Sequence, residues 1–126
     1  MGWLMRPFLR WAGGKRWLTQ RGVAGLSVGT RIVEPFLGGG ALFFSYDWEK
    51  AVLADINRFL INAYLRMKEN HLSLFCLVEE HFDLHSKDRY YEVRARMGSS
   101  SVQDAADFIY LNRACFNGLF RVNLAG

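Results

Sequence analysis

Residues Val33 to Phe43 read Val-Glu-Pro-Phe-Leu-Gly-Gly-Gly-Ala-Leu-Phe, and twelve residues beyond Phe43 a short apolar run has ended in Ala54-Asp55-Ile56-Asn57. Glycines let backbone N–H groups approach a ligand closely, and a carboxylate at the next strand end can accept both hydroxyl hydrogens of a ribose. The pattern suits an adenosine-containing cofactor, with Gly38 and Gly40 as the floor of its turn. Asp55 is also well suited to capping the following helix, but the glycine turn upstream favours the ribose. Phe43 stands where a dinucleotide fingerprint has its third Gly or Ala, which argues against NAD. Lys15 follows Gly13-Gly14 as in a P-loop, yet Leu9 occupies the first glycine position and Arg16 replaces Ser or Thr, so an ATPase is disfavoured.

Two other groupings could do chemistry. Arg113 to Asn123 mixes Arg, Asn, aromatics and a glycine, a combination suited to phosphate contact, base-edge hydrogen bonds and wedging into a duplex. Those residues read equally well as a helix C-terminus with Asn117-Gly118 as its turn. His81 and His85 have a metal-compatible i, i+4 spacing but no third ligand in a recognisable motif. A solvated helix end accounts for them, Glu79-Glu80 reads as a solvated face, and no metal is expected.

The elements that must position these residues are legible in outline. Arg31-Ile32-Val33-Glu34 is too apolar and β-branched for a surface turn and predicts a buried strand. Ala41 to Tyr46 fits a first helical stretch and Ala51-Val52-Leu53-Ala54 a second buried strand, together a compact βαβ unit. A short helix is expected from Lys15 through Gln20, followed by a loop marked by Gly22, Gly25 and Gly29. Beyond Asp55, a helix from Asn57 to about Asn70 places Leu60, Ala63, Tyr64 and Met67 on one face. Helices are also expected over Leu72–Phe82, with Phe75, Val78 and Phe82 on one side, and over Tyr90–Met97. Ser101-Val102-Gln103-Asp104 is a capping-box pattern before a helix through about Arg113, with Ala105, Phe108, Ile109 and Asn112 on one stripe.

Composition sets the bounds. The chain has 126 residues, 51% of them apolar and 15% aromatic, enough for one modest domain that buries roughly 65% of its unfolded surface. The formal charge is +4, with Arg6, Arg10, Lys15, Arg16, Arg21 and Arg31 all preceding the first acid, Glu34. Such a basic end can meet phosphate or be a solvated face. No apolar run approaches the roughly 20 residues of a membrane span, and nothing at the N-terminus resembles a secretory signal. Two cysteines, Cys76 and Cys115, suggest buried reduced thiols and a cytoplasmic protein.

Four motifs in order now add up. Phe8-Leu9-Arg10-Trp11-Ala12-Gly13-Gly14-Lys15, Glu34-Pro35-Phe36-x-Gly38-x-Gly40, Ala54-Asp55-Ile56-Asn57, and Leu111-Asn112-Arg113-x-x-x-Asn117-Gly118-x-x-Arg121-x-Asn123 resemble the Dam-type (D12 class) DNA adenine-N6 methyltransferases over nearly the whole chain. The resemblance implies S-adenosylmethionine as cofactor and double-stranded DNA as partner. It implies that Trp11 and Lys15 line the methionine side of the pocket, that Phe36, Gly38, Gly40 and Asp55 belong to it, and that Glu34 either caps the turn or faces the cofactor. It also implies that Phe116 and Asn117 lie near a flipped base, while Leu119, Arg121 and Asn123, with Arg113, approach DNA.

The family polarises the poorly nucleophilic adenine amine with an Asp-Pro-Pro-Tyr motif, and this chain has only Pro7 and Pro35. The implied fold is α/β, a partial Rossmann-like methyltransferase fold with an inserted helical target-recognition region, truncated at the C-terminus. Residues 1–56 would be the cofactor-binding part, and 57–126 a helical segment and the start of target recognition. Catalytic residues are expected to be absent and the isolated fragment inactive, its partner being the missing C-terminal half. The alternative is a non-catalytic DNA- or cofactor-binding module completed by a second polypeptide.

Overall fold

Two parallel strands, β1 (Arg31–Glu34) and β2 (Lys50–Leu53), pair in the register Ile32 to Ala51 and Val33 to Val52. Helix α1 (Ala41–Phe44) lies in the crossover between them. The computed structural model describes residues 5–15, 17 and 31–115. Most of the helix expected over Lys15–Gln20, the loop marked by Gly22, Gly25 and Gly29, and the recognition segment from Phe116 onward lie outside the described residues.

The chain divides into two compact units, residues 1–56 and 57–126. The first holds the sheet. The strands are not buried as expected: Ile32 and Leu37 are covered, but Val33 and Val52 are exposed, because the two-stranded ladder is covered on one face only; Phe8 meets Phe44 edge-on at 6.2 Å.

The second unit is helical: α2 (Arg58–Glu69), α3 (His71–Asp83), α4 (Lys87–Ala95) and α5 (Val102–Ala114). The Asn57 side chain caps α2 by accepting from the N–H groups of Phe59 and Leu60, so Asp55 is not needed for that task. Helix α4 starts at Lys87 instead of Tyr90, because Ser86 accepts from the Arg89 N–H and stops that end of the helix from fraying. Helix α5 packs against α2, α3 and α4, with Phe108 stacked on Phe59 at 6.3 Å.

Three expected faces are corrected. Every residue of α5 from Ala105 to Asn112 is buried, since three helices surround it, and a helix covered on all sides needs no stripe. On α3, Leu74 and His81 point inward while Phe75 and Phe82 are exposed; hydrogen bonding of His81 to α5 sets the rotation of that helix. On α2, Leu60 and Ala63 are buried, whereas Met67 at the far end is exposed.

Ser101 and Asp104 form the expected capping box. Burial pushes the Asp104 carboxyl up, but N–H donors from Ser100 and Ser101 outweigh it and hold its pKa below the ordinary value. A Cβ on Gly98 would stand 2.5 Å from Asp104 Oδ1. Ser101→Ala is expected to cost about 1 kcal/mol, seen as a lower melting temperature by circular dichroism; an unchanged midpoint would show that the box contributes nothing. The described residues form a mixed helix and strand protein with a small parallel sheet, compatible with the α/β architecture expected. No helix among them is long and apolar enough to cross a membrane.

Candidate functional site

The two strand ends of the first unit are stitched together beyond the ladder. The Ala54 N–H donates to the Glu34 carbonyl at 2.8 Å, and the Leu37 N–H to the Ala54 carbonyl at 2.9 Å. This brings the turn after β1 beside Asp55, whose Oδ2 accepts from the Gly38 N–H at 2.9 Å. A charge-assisted bond of that kind is worth about 1.5 to 3 kcal/mol. It orients the carboxylate at the mouth of the glycine turn.

Gly38 has φ 55° and Gly40 φ 77°, a left-handed backbone that side chains disfavour. A Cβ at Gly38 would also lie 3.0 Å from Trp11 Cδ1. The indole therefore covers the glycine turn, and Trp11 is in turn held in a bend closed by the Gly14 N–H to its carbonyl at 3.3 Å.

Lys15 follows that bend. Its ammonium lies 2.7 Å from Glu34 Oε1 and also donates to the Phe36 carbonyl. Glu34 is 4% exposed, so the pair neutralises a carboxylate that burial alone would penalise. Only one oxygen is served: Glu34 Oε2 is buried with no hydrogen-bond partner. Of the two roles open to Glu34, the ion pair ties it to Lys15 and the turn, while Oε2 remains an acceptor in search of a donor. The same contacts show that Lys15 is not an independent solvated charge.

Apolar surface stands nearby in sequence. Phe36 is 77% exposed on the turn, and Ile56, which sequence reasoning passed over, is 102% exposed beside Asp55. The available signal was an isoleucine placed between the strand-end acid and a helix cap, where no core can receive it. Trp11, Lys15, Glu34, Gly38, Gly40 and Asp55 are thus brought together by bonds and contacts, with Phe36 on the same turn. The set offers donors, an oriented carboxylate, a buried acceptor and apolar walls.

In the helical unit, Arg113 is exposed in the last turn of α5. Phe116, Asn117, Leu119, Arg121 and Asn123 lie outside the described residues. Among the described residues, no three of His, Cys, Asp and Glu gather so as to hold a metal ion. The solvated helix end expected of His81 and His85 holds for His85, which is exposed while its Nδ1 pairs with the Tyr110 hydroxyl at 2.8 Å, and fails for His81, which is 1% exposed with Nε2 at 2.7 Å from Asp107 Oδ1. Cys76 is exposed, contrary to expectation, and Cys115 is half-buried; both are free thiols.

The family model described as D12 class N6 adenine-specific DNA methyltransferase matches residues 11–126. The chain is 38% identical over 125 residues to the DNA N-6-adenine-methyltransferase of Escherichia phage P1, covering 96% of the chain and 17% of that protein. It is 42% identical over 127 residues to the type II methyltransferase M1.LlaDCHI of Lactococcus lactis subsp. cremoris, covering 94% and 44%. It is 39% identical over 127 residues to the DNA adenine methylase of Serratia marcescens, covering 96% and 46%. The chain spans less than half the length of each of these relatives.

Proposed function

The chain belongs to the D12 class N6 adenine-specific DNA methyltransferases, and from that premise we propose that it is the cofactor-holding part of an enzyme that methylates N6 of adenine at specific sites in double-stranded DNA. Residues 1–56 would be the cofactor-binding part of a larger Rossmann-like sheet, and 57–126 the helical segment opening the target-recognition region. The observation that carries this reading is Asp55, fixed by the Gly38 N–H at the mouth of a glycine turn.

The residues present fit S-adenosylmethionine. Asp55 would accept the ribose hydroxyls, and the exposed side chains of Phe36 and Ile56 would give the flat adenine an apolar rest. The buried Glu34 Oε2 lacks a donor, and the amino-acid end of this cofactor carries an ammonium that can supply one. Trp11 covers the turn as a rigid wall, and Lys15, held by Glu34, puts a positive charge where a carboxylate would come. When bound, the cofactor supplies an electrophilic methyl group on its sulfonium.

Arg113, Phe116, Asn117, Leu119, Arg121 and Asn123 would serve DNA, the arginines at phosphates or base edges and the apolar side chains at the displaced base. Without adjacent prolines in these 126 residues, polarisation of the adenine amine is assigned to residues outside them. The fragment is therefore expected to be inactive alone, with the remainder of the enzyme as its partner, and cytoplasmic.

Calorimetric titration of S-adenosylmethionine into the purified 126-residue protein tests the reading. One saturable site is expected. Absence of heat from a protein that is folded by circular dichroism would mean that these residues do not by themselves make the pocket, and would defeat the assignment.

A further inference from the structure

Helix α4 has little apolar surface to hold it. Val93 is its buried residue, packed with Tyr110 and Leu111 of α5. Tyr90, one turn earlier, is half-buried against the same cluster, and the side-chain ties to α3 and α5 that are polar run through two arginines. Arg96, at the C-terminal end of α4, grips Asp107 of α5 with Nε to Oδ2 and Nη2 to Oδ1, both at 3.0 Å. Arg89, in its first half, reaches His81 of α3, Nη2 to Nδ1 at 3.2 Å.

We propose that His81 is a proton-operated latch: neutral, it holds Arg89 and the N-terminal half of α4 against the bundle, and protonated, it expels them while the Arg96 to Asp107 fork stays closed.

The partners assign the tautomer. Arg96 keeps Asp107 paired as a carboxylate, which only accepts, so the 2.7 Å bond to His81 requires Nε2–H as donor. A guanidinium only donates, so Nδ1 must be the acceptor for Arg89. Gln103 Nε2 also donates to Asp107 Oδ1 at 2.9 Å. A proton added at Nδ1 turns the Arg89 contact into two donors and two positive charges face to face. The same proton strengthens the Nε2 bond to Asp107, because a charged donor binds a carboxylate more tightly. One link is cut and the other tightened, so release is confined to the Arg89 end. Arg89 Nε is buried without a partner, and moving outward lets water serve it, which lowers the cost of leaving.

The groups facing the ring are Asp107, Gln103 and Tyr110 from α5 and Arg89 and Arg96 from α4, with Glu92 and Asp104 acting on Arg96. From α2, Asn62 and Arg66 reach the Ser101 and Ser100 carbonyls instead. Just past the end of its own helix, His85 is engaged with Tyr110. Burial lowers the pKa of His81 below 6.5 against the pull of Asp107, and both arginines add to the lowering. Opening removes the Arg89 charge and admits water while Asp107 stays, so the ring titrates at higher pH in the open form than in the closed one; the closed form is favoured at high pH and loses that advantage as pH falls toward the depressed value.

Nuclear magnetic resonance on the isotope-labelled 126-residue protein tests this from pH 7.5 to 4.5. The ring nitrogens of His81 are followed together with hydrogen exchange at Tyr91, Glu92 and Val93, whose amides fall in the first hydrogen-bonded turns of α4. After correction for intrinsic exchange, their protection relative to Ile109–Leu111 of α5 should fall by about tenfold for each unit by which the His81 pKa in the closed form lies below that in the open form. The midpoint should coincide with the titration of His81 and not with those of His71 or His85. Arg89→Gln, which keeps a donor for Nδ1 without the charge, should lose most of this dependence. Protection of α4 that tracks α5 at every pH, a midpoint set by another histidine, or full pH dependence in R89Q would each overturn the latch.

Discussion

Replacing Asp107 by alanine is expected to destabilise the helical unit by about 3 kcal/mol, the lower end of the range for breaking a buried ion pair. Asp107 is 1% exposed and receives Arg96 twice, His81 once and Gln103 once. Removing it takes the acceptor from the buried His81 Nε2–H, at about 1 to 3 kcal/mol for an unsatisfied buried donor. Arg96 costs less, because its side chain is 41% exposed and can turn to water. Against a total stability of about 5 to 15 kcal/mol, this would lower the melting temperature by roughly 12 to 24 °C. Circular dichroism on the 126-residue protein measures it, with Glu79→Ala on the solvated face of α3 as the control expected to stay within about 0.5 kcal/mol. A midpoint shift for D107A as small as that of the control would show that the network holds nothing.

Substituting Asp55 by alanine is expected to weaken binding of S-adenosylmethionine by roughly 10- to 150-fold, the equivalent of one charge-assisted hydrogen bond at about 1.5 to 3 kcal/mol. Two effects act together: the ribose loses its acceptor, and the Gly38 N–H loses the partner that fixes the turn. Asp55→Asn separates them, since its amide oxygen can still receive Gly38 while the charge is gone, and an intermediate loss is expected. Calorimetry on each folded variant reads both values. Affinity within threefold of the unaltered protein in D55A would remove the carboxylate from the binding site.

The sheet and its turn were the most legible parts of the sequence. Ile32 and Val33 can hardly be anything but strand, and Gly38 and Gly40 mark positions where only a residue without a side chain is comfortable, so local chemistry alone placed β1, the turn and Asp55. The helix ends were also readable where a cap was explicit, as at Ser101. The faces of the helices were less so. Phe75 and Phe82 are apolar at helical spacing and yet exposed, while His81 is polar and yet buried, because what decides the matter is Asp107, twenty-six residues away. Periodicity reports the average preference of side chains for water; it carries no information about a polar partner that makes burial affordable. In the site, Lys15 and Glu34 were each singled out, but their pairing across nineteen residues, like the orphaned Oε2, exists only once the strand and the bend meet.

The covering of α5 on all sides has a consequence for synthesis. Helix α2, whose Leu60 and Ala63 are buried, is complete at Glu69, but α5, against which α2 packs, is not finished until Ala114, 45 residues later. At about 5 to 20 residues per second, a nascent chain leaves the ribosome with that apolar stripe unmatched for roughly 2 to 9 seconds. During that interval, α2, α3 and α4 are a set of amphipathic surfaces around a vacant axis, and α5, the last of these four to emerge, is the one that turns them into a core.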